Sequence, residues 1–521
     1  MRNYKNYLIP TSFLVSIFLF LHFTGTLYAG YHFIDDHKIL EISSYLKNFS
    51  VLQTFKDYIT ADLAIRFRPL YFVYYISEIA LIGPNFFALF VFSGILATLT
   101  FSIFYFASKK LDFSFLESII FVFIIFLGNQ SAIWWRLGTN EPIGMLFVAL
   151  AFFFMANSFD KKKLHYRQYN LFFCLSLILA SLCKESFIII IPAFVFFKVL
   201  NEKKIFEISL KASLKNNWLS IFPLIIMTIE LLLIKFVIGT NKIGYAGLTA
   251  SSTEFIQGVK NIVFNKDSLW YLIILLTILF ILYLVSMFFD QDKNKRNRIQ
   301  QIASLKLLLL NTGFALLIIL PNIFMYAKSG MLERYLVPTT LGFSFLVVTL
   351  VKLTKVSIIK YLSILIILVF LSISFNNAKT SAIAFTADGK EVNAFLSEIK
   401  NSSKPNDQIL IVADPVIEYE LSYSIRMYLT YFGYTNIYGY PMEGQQYSSA
   451  FELSLRDGWL NWFKNKQLEN MNGDPDEIVF MSKYYVDINK FFAQNKNLDG
   501  KYKDISNQMR HSGSLVFIKE K

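Results

Sequence analysis

A chain of 521 residues that is 55% hydrophobic, with 55 Phe and 29 Tyr, carries too little polar surface for a soluble protein of its size. Its net charge of +13 suggests nucleic acid at first, but the basic clusters lie between long apolar runs, where they act as positive-inside charge and set orientation in a membrane. The runs are long enough to cross a hydrocarbon core of about 30 Å and do not alternate as barrel strands do. The fold class is therefore a polytopic α-helical membrane protein.

Arg2 and Lys5 precede the first apolar run, which reads as an uncleaved span over 7–29. Placing Lys109-Lys110, Lys161-Lys162-Lys163, Lys203-Lys204 and the stretch from Lys293 to Arg298 in the cytoplasm gives a consistent path with the N-terminus inside. The loop 30–68 is then extracytoplasmic. It holds Asp35-Asp36-His37 and a patterned segment from Ile39 to Ile59, in which Leu40, Leu46, Phe49, Leu52 and Phe55 form one side of an interfacial helix. The apolar segment after Arg68-Pro69-Leu70 is only about 14 residues long, short for a span, and is expected to lie at the outer surface. Further spans follow over 85–107, 112–128, 142–158, 169–183, 186–200, 217–238, 269–289, 304–326, 335–352 and 356–375. That makes about eleven, N-terminus inside and C-terminus outside, with loops 129–141, 239–268 and 327–334 outside. Cys174 and Cys183 share one apolar segment and read as small core residues.

From Asn376 the composition changes and long apolar runs vanish. The run 408–413 reads as a buried strand, 416–432 as a helix, and 436–438, Glu477 to Met481 and Ser514 to Ile518 as strands. Two domains are expected: a transmembrane domain over 1–375, with surface helices within 30–84, and a small extracytoplasmic α/β domain over 376–521.

This topology collects Asp35, Asp36, His37, Arg66, Arg68, Arg136, Glu141, Lys184, Glu185, Glu333 and Arg334 on one side of the membrane. Ionisable groups at span ends default to a functional reading, and each has a structural alternative. Arg66 and Arg68 would snorkel to headgroups. Arg136 with Trp134 and Trp135 would anchor at the interface. Lys184 would pair with Glu185, and Glu333 with Arg334. Asp35-Asp36 would cap the following helix. Glu230 and Lys235 would pair at helical spacing. As a set, carboxylates with cations suit a substrate bearing a phosphate and a hydroxyl: a carboxylate accepts the proton of an attacking hydroxyl, and cations grip phosphate as a leaving group.

The pattern resembles the GT-C superfamily of membrane glycosyltransferases in four places. An acidic pair follows span one (Asp35-Asp36). An Arg-Pro-Leu element opens a surface helix (Arg68-Pro69-Leu70), where many members carry Pro-Pro-Leu. A Lys-Glu pair breaks two mid-chain spans (Lys184-Glu185-Ser186). A Glu-Arg-Tyr-Leu-x-Pro motif opens a late span (Glu333-Arg334-Tyr335-Leu336-Val337-Pro338). The resemblance covers about residues 1–375 and is nearest to the protein O-mannosyltransferase and lipid A aminoarabinose transferase group. It implies an inverting transfer of a sugar from a polyprenyl-phosphate donor to a glycan, lipid or protein acceptor at the outer face of the inner membrane. No nucleic acid takes part. Asp35 is then the general base and Asp36 positions the acceptor or exchanges roles with it. Lys184, Arg334 and Arg66 or Arg68 neutralise the departing phosphate, and His37, Arg136, Glu185, Glu333 and Tyr335 complete the binding set. No cofactor is required; a divalent metal on Asp35, Asp36 and His37 is optional. A lipid-linked-glycan flippase, a polysaccharide polymerase and a non-catalytic scaffold are the rival readings.

Overall fold

The structure is a computed structural model and describes residues 4–33, 35–64, 66–159, 166–239, 252–265, 269–289, 295–327, 331, 333–443, 446–447, 450–482, 486–506 and 513–520. Lys161 to Lys163, Lys293 and parts of the loops expected at 239–268 and 327–334 lie outside them. The helices run α1 (Tyr4–Phe23), α2 (His37–Asn48), α3 (Val51–Leu63), α4 (Pro69–Ile82), α5 (Phe86–Lys110), α6 (Phe115–Phe126), α7 (Glu141–Ser158), α8 (Tyr166–Ser181), α9 (Glu185–Ile188), α10 (Ile191–Ile205), α11 (Leu210–Asn216), α12 (Trp218–Leu233), α13 (Ser252–Phe264), α14 (Trp270–Phe289), α15 (Lys295–Tyr326), α16 (Thr339–Leu353) and α17 (Ser357–Ser402). Ten of the eleven expected spans each overlap one of them, and the eleventh, 186–200, is divided between α9 and α10. Among the described residues six helices are long and apolar enough to cross a membrane, and four shorter apolar ones accompany them.

The chain divides into two compact units. One comprises Met1–Thr24, Phe55–Tyr75 and Phe90–Ala382; the other comprises Gly25–Thr54, Ile76–Leu89 and Ile383–Lys521. In the first unit burial separates inner from outer helices. The apolar window of Glu141–Ser158 is 72% buried, whereas that of Trp218–Ile238 is 22% buried. Trp218, Phe222 and Ile225 on α12, and Ile281 and Phe288 on α14, point outward. An apolar outer surface of that extent belongs in lipid. The inner core is aromatic: Phe121, Phe152, Phe197, Phe314 and Phe345 form edge and stacked pairs at centroid separations of 5.0–6.3 Å. Each such pair adds about 0.5–1.5 kcal/mol beyond its burial. Helix starts follow local chemistry. Ser114 and Glu117 form a reciprocal capping box on α6, and Pro69 and Pro142 occupy first-turn positions, where a missing N–H costs nothing.

Two elements differ from the sequence reading. The single interfacial helix expected over 39–59 is two helices, α2 and α3, because Ser50 Oγ accepts from the Gln53 N–H at 3.2 Å and starts a new helix. α17 is continuous for 46 residues, about 69 Å at 1.5 Å per residue, so the composition change at Asn376 falls inside a helix.

The second unit contains a five-stranded sheet of β1 (Ile409–Ala413), β2 (Ile437–Pro441), β3 (Glu477–Phe480), β4 (Tyr502–Asp504) and β5 (Leu515–Lys519), with α18 (Tyr419–Tyr431), α19 (Ala450–Trp462) and α20 (Ile488–Gln494). The order is β2-β1-β3-β5-β4. β1 is parallel to β2 and β3, while β5 is antiparallel to β3 and β4. Every residue of β1 is buried, as its unbroken apolar run requires of a central parallel strand. Two buried carboxyls set the pH response of this unit. Burial raises Glu477 to about 7, against the Ser403 and Ser402 hydroxyls, and raises Glu418 to about 8. A raised folded-state pKa stabilises fully below the ordinary value of 4.5. That contribution is lost as pH rises through about 7 and then about 8. Thermal melts of the full chain are therefore expected to show this unit weakening between mildly acidic and mildly alkaline buffer, with Glu477→Gln flattening the slope. An unchanged slope in that variant would remove Glu477 from the account.

Candidate active site

The acidic pair belongs to the second unit. Asp35 has φ 64, a left-handed conformation that Asp tolerates better than most residues, and it is half-buried. Asp36 is 2% exposed. It stands at the start of α2 but makes no side-chain cap there, so the capping alternative is not what this carboxylate does. Its Oδ2 instead accepts from the His32 backbone N–H at 3.1 Å and faces His32 Nδ1 at 3.0 Å. His32 Nε2 lies 2.9 Å from the Phe385 carbonyl, which can only accept, so Nε2 carries a proton. One proton is then shared between Nδ1 and the Asp36 carboxyl. Burial raises that carboxyl above the ordinary range, opposed by the His32 hydrogen bond.

The surrounding residues hold this arrangement. The His32 ring stacks on Phe385 with centroids 3.6 Å apart. Tyr428 Oη donates to the His32 carbonyl. Gly389 leaves room for the imidazole, since a Cβ there would meet Nε2 at 2.5 Å. His37 points elsewhere: its Nδ1 meets Ser424 Oγ at 2.8 Å and its ring packs edge-on against Tyr423. Ser424 donates its own proton to the Glu420 carbonyl, so Nδ1 is the donor. Burial, then Lys38, pushes His37 down to about 4, which keeps it neutral near pH 7. Asp36 and His37 are thus engaged with different partners. Among the described residues no group of three or more His, Cys, Asp or Glu side chains is placed to hold a metal ion.

The cationic residues belong to the first unit, which brings them together. Lys184 extends between α8 and α9 and is 6% exposed. It pairs with Glu141, the first residue of α7, which is 1% exposed. The pairing expected with Glu185 is replaced by this one. The Lys184 ammonium also sits 4.5 Å from the Tyr335 ring centroid, and Tyr326 lies within electrostatic range. Arg334 stacks over Tyr335 at 5.5 Å and acts on the Glu141 carboxylate. Glu333, at φ 46, turns away from Arg334 and pairs with Arg136 at 3.0 Å, both groups partly exposed.

Arg68 grips Asp62 through Nε and Nη2 at 3.1 and 2.8 Å to one carboxylate oxygen, with a second Nε contact at 3.2 Å. It is held in a fork rather than released to headgroups. Burial raises Asp62 above its ordinary value, against the pull of Arg68 and with Glu185 and Arg66 in range. The Leu70 N–H donates to the Leu182 carbonyl at 3.0 Å. That bond ties the Arg-Pro-Leu element to the chain two residues before Lys184. Glu230 accepts from Ser181 at 2.8 Å, and among the described ion pairs none joins it to Lys235. Sequence reasoning missed Asp62, Tyr326 and His32. Only His32, four residues before Asp36, left a spacing to notice.

The arrangement defines a polytopic membrane protein whose span ends carry ion pairs, Lys184–Glu141 buried and Arg136–Glu333 partly exposed, with a carboxylate pair in a second, mixed α/β unit. No family model and no curated protein sequence matches the chain. Among solved structures, the crystal structure of ArnT from Cupriavidus metallidurans in the apo state superposes with a TM-score of 0.50 over 97% of this chain and 98% of that chain, at 11% sequence identity. The two share a fold over that length.

Proposed function

We propose that the protein is a membrane glycosyltransferase of the GT-C type. It moves a sugar from a polyprenyl-phosphate donor to an acceptor hydroxyl on the outer face of the membrane, with inversion. The observation that carries the reading is the buried Lys184–Glu141 pair with Arg334 and Tyr335 around it. A buried ammonium held by a carboxylate and an aromatic ring, with a half-buried guanidinium nearby, is preorganised to receive an anion. The likeness of fold to ArnT supports the same class.

In the proposed step the acceptor oxygen attacks the anomeric carbon and its proton passes to Asp35. The bond from that carbon to the phosphate oxygen breaks, and its electron pair leaves with the lipid phosphate. Lys184 and Arg334 neutralise the developing charge. Arg68, fixed by Asp62, shapes the edge of the same cationic cluster. Asp36 positions its neighbour: with its proton already shared with His32 it is the poorer base, and the half-buried Asp35 is the better one.

The test is incubation of the purified full chain with a panel of polyprenyl-phosphate sugars, following release of lipid phosphate and glycosylated acceptor together. Stoichiometric appearance of both is expected. Movement of the lipid-linked sugar between leaflets of sealed vesicles, with no lipid phosphate released from any donor, would establish the flippase reading instead.

A further inference from the structure

The stretch from Ala29 to Phe33, which leads into the acidic pair, forms no helix or strand. Its backbone N–H and C=O groups therefore need partners from elsewhere, and α17 supplies several. The residues of α17 from Ile383 onward belong to the same unit as Gly25–Thr54. Phe385, Gly389 and Asn393 stand four apart there and share one face of the helix. The Phe385 carbonyl meets His32, and Gly389 leaves the imidazole its room. Asn393, the third of the series, takes no part in the proposed transfer step.

Asn393 Nδ2 donates to the carbonyls of Ala29 at 3.0 Å and Tyr31 at 3.2 Å, and to the Gly389 carbonyl one turn back on its own helix. Its Oδ1 accepts from the Tyr31 N–H at 3.3 Å. Carbonyl oxygens only accept, so these partners fix which way the amide faces. One side chain thus holds both backbone groups of Tyr31, as a paired strand would. The approach is this close because residue 30 is glycine: Gly30 has φ 75, and a Cβ there would meet Asn393 Nδ2 at 2.4 Å. The side chains that follow are anchored too. The Tyr31 ring packs against Phe86 and Tyr428 with centroids 4.7 and 5.2 Å apart, and Phe33 meets Phe395 edge-on at 6.4 Å. Asp35 lies between this anchored stretch and the first turn of α2, so the aim of its carboxylate depends on what holds the chain on either side.

We propose that Asn393 is a positioning residue for Asp35: its amide clamps the backbone at Ala29 and Tyr31 and so fixes the stretch that presents the carboxylate. The inference rests on the proposed transfer reaction, but its first readout needs no turnover. Hydrogen exchange of the full chain is expected to show residues 29–33 opening about tenfold more readily in Asn393→Ala, with β1 unchanged. Transfer from the polyprenyl-phosphate sugars is expected to fall by about 10–100-fold in kcat. The KM for the donor stays the same, because the cations proposed to hold its phosphate are other residues. Asn393→Gln keeps both amide groups one methylene further out and recovers part of the rate. Asn393→Asp keeps an acceptor for the Tyr31 N–H but sets a carboxylate against three carbonyls, and recovers none. That contrast reads the clamp rather than the helix, and Asn393→Gln carries both readouts should Asn393→Ala not fold. Ser397→Ala, at an exposed position one turn on whose hydroxyl donates to the Asn393 carbonyl at 2.7 Å, is expected to change neither. Unchanged exchange over 29–33, full kcat with that stretch loosened, or equal losses in Asn393→Gln and Asn393→Asp that follow the melting temperature would each overturn the assignment. Absence of transfer by the unsubstituted chain would overturn the proposed reaction and the positioning role with it. A loosened stretch in Asn393→Ala would then establish the clamp alone, which tells the two failures apart.

Discussion

Asp35→Asn is expected to lower sugar transfer by about 10²–10⁴-fold, the range for loss of a general base, while the protein still inserts and melts normally. The substitution is unusually clean for a backbone reason. Asp35 sits at φ 64, and Asn enters the left-handed region as readily as Asp does. The amide therefore replaces the carboxylate without moving the chain, whereas Ala would add backbone strain to the loss of charge. Asp36→Asn makes the contrast. Its carboxyl is buried against the His32 ring and backbone N–H. The amide would lose the shared proton and set an N–H against a donor, at about 1–3 kcal/mol. A fall in activity there is expected to travel with a fall in melting temperature. Measuring both for both variants separates the roles. Full activity in Asp35→Asn would end its assignment, and loss of transfer at unchanged stability in Asp36→Asn would move the base to Asp36.

Membrane architecture is legible because its physics is one-dimensional. A run such as 86–110 must be long enough for the hydrocarbon core, and the lysines at its end choose a side. The central strand β1 is legible for the same reason, since five consecutive apolar residues outside a span read as buried sheet. Pairings across long separations are not. Tyr428 reaches the His32 carbonyl over 396 residues, and Arg136 reaches Glu333 over 197; neither leaves a local spacing.

Asp62 was hidden differently. One acid on an amphipathic surface helix reads as a solvated face, and its partner Arg68 lies six residues on, beyond the helix end, where no helical periodicity relates the two. Conversely, Lys184-Glu185 and Glu333-Arg334 suggested pairing between neighbours in sequence. The structure pairs Lys184 with Glu141 and Glu333 with Arg136. Adjacent side chains on a helical turn diverge, and long-range partners then win. The three-residue strand β4, Tyr502–Asp504, is polar and exposed along most of its length and offers no apolar pattern to find.

Lys184→Met is expected to destabilise the first unit by about 3–5 kcal/mol, because it leaves the Glu141 carboxylate buried without its cation. The double variant Lys184→Met with Glu141→Gln is expected to recover most of that loss, since a buried ion pair replaced by neutral groups of similar size is often stable. Transfer is not expected to return with stability. If Lys184 neutralises the departing phosphate, the double variant folds and inserts yet remains slower by about 10²–10³-fold, the range for removing one preorganised donor. The loss should fall in kcat and kcat/KM together, because the interaction strengthens as the phosphate leaves and not when the donor binds. Lys184→Arg keeps the charge but not the compact ammonium seated 4.5 Å from the Tyr335 ring, so an intermediate rate is expected from it. Return of full activity in the double variant would make the pair a structural brace and pass the leaving-group role to Arg334, which acts on the same carboxylate and stacks on the same tyrosine.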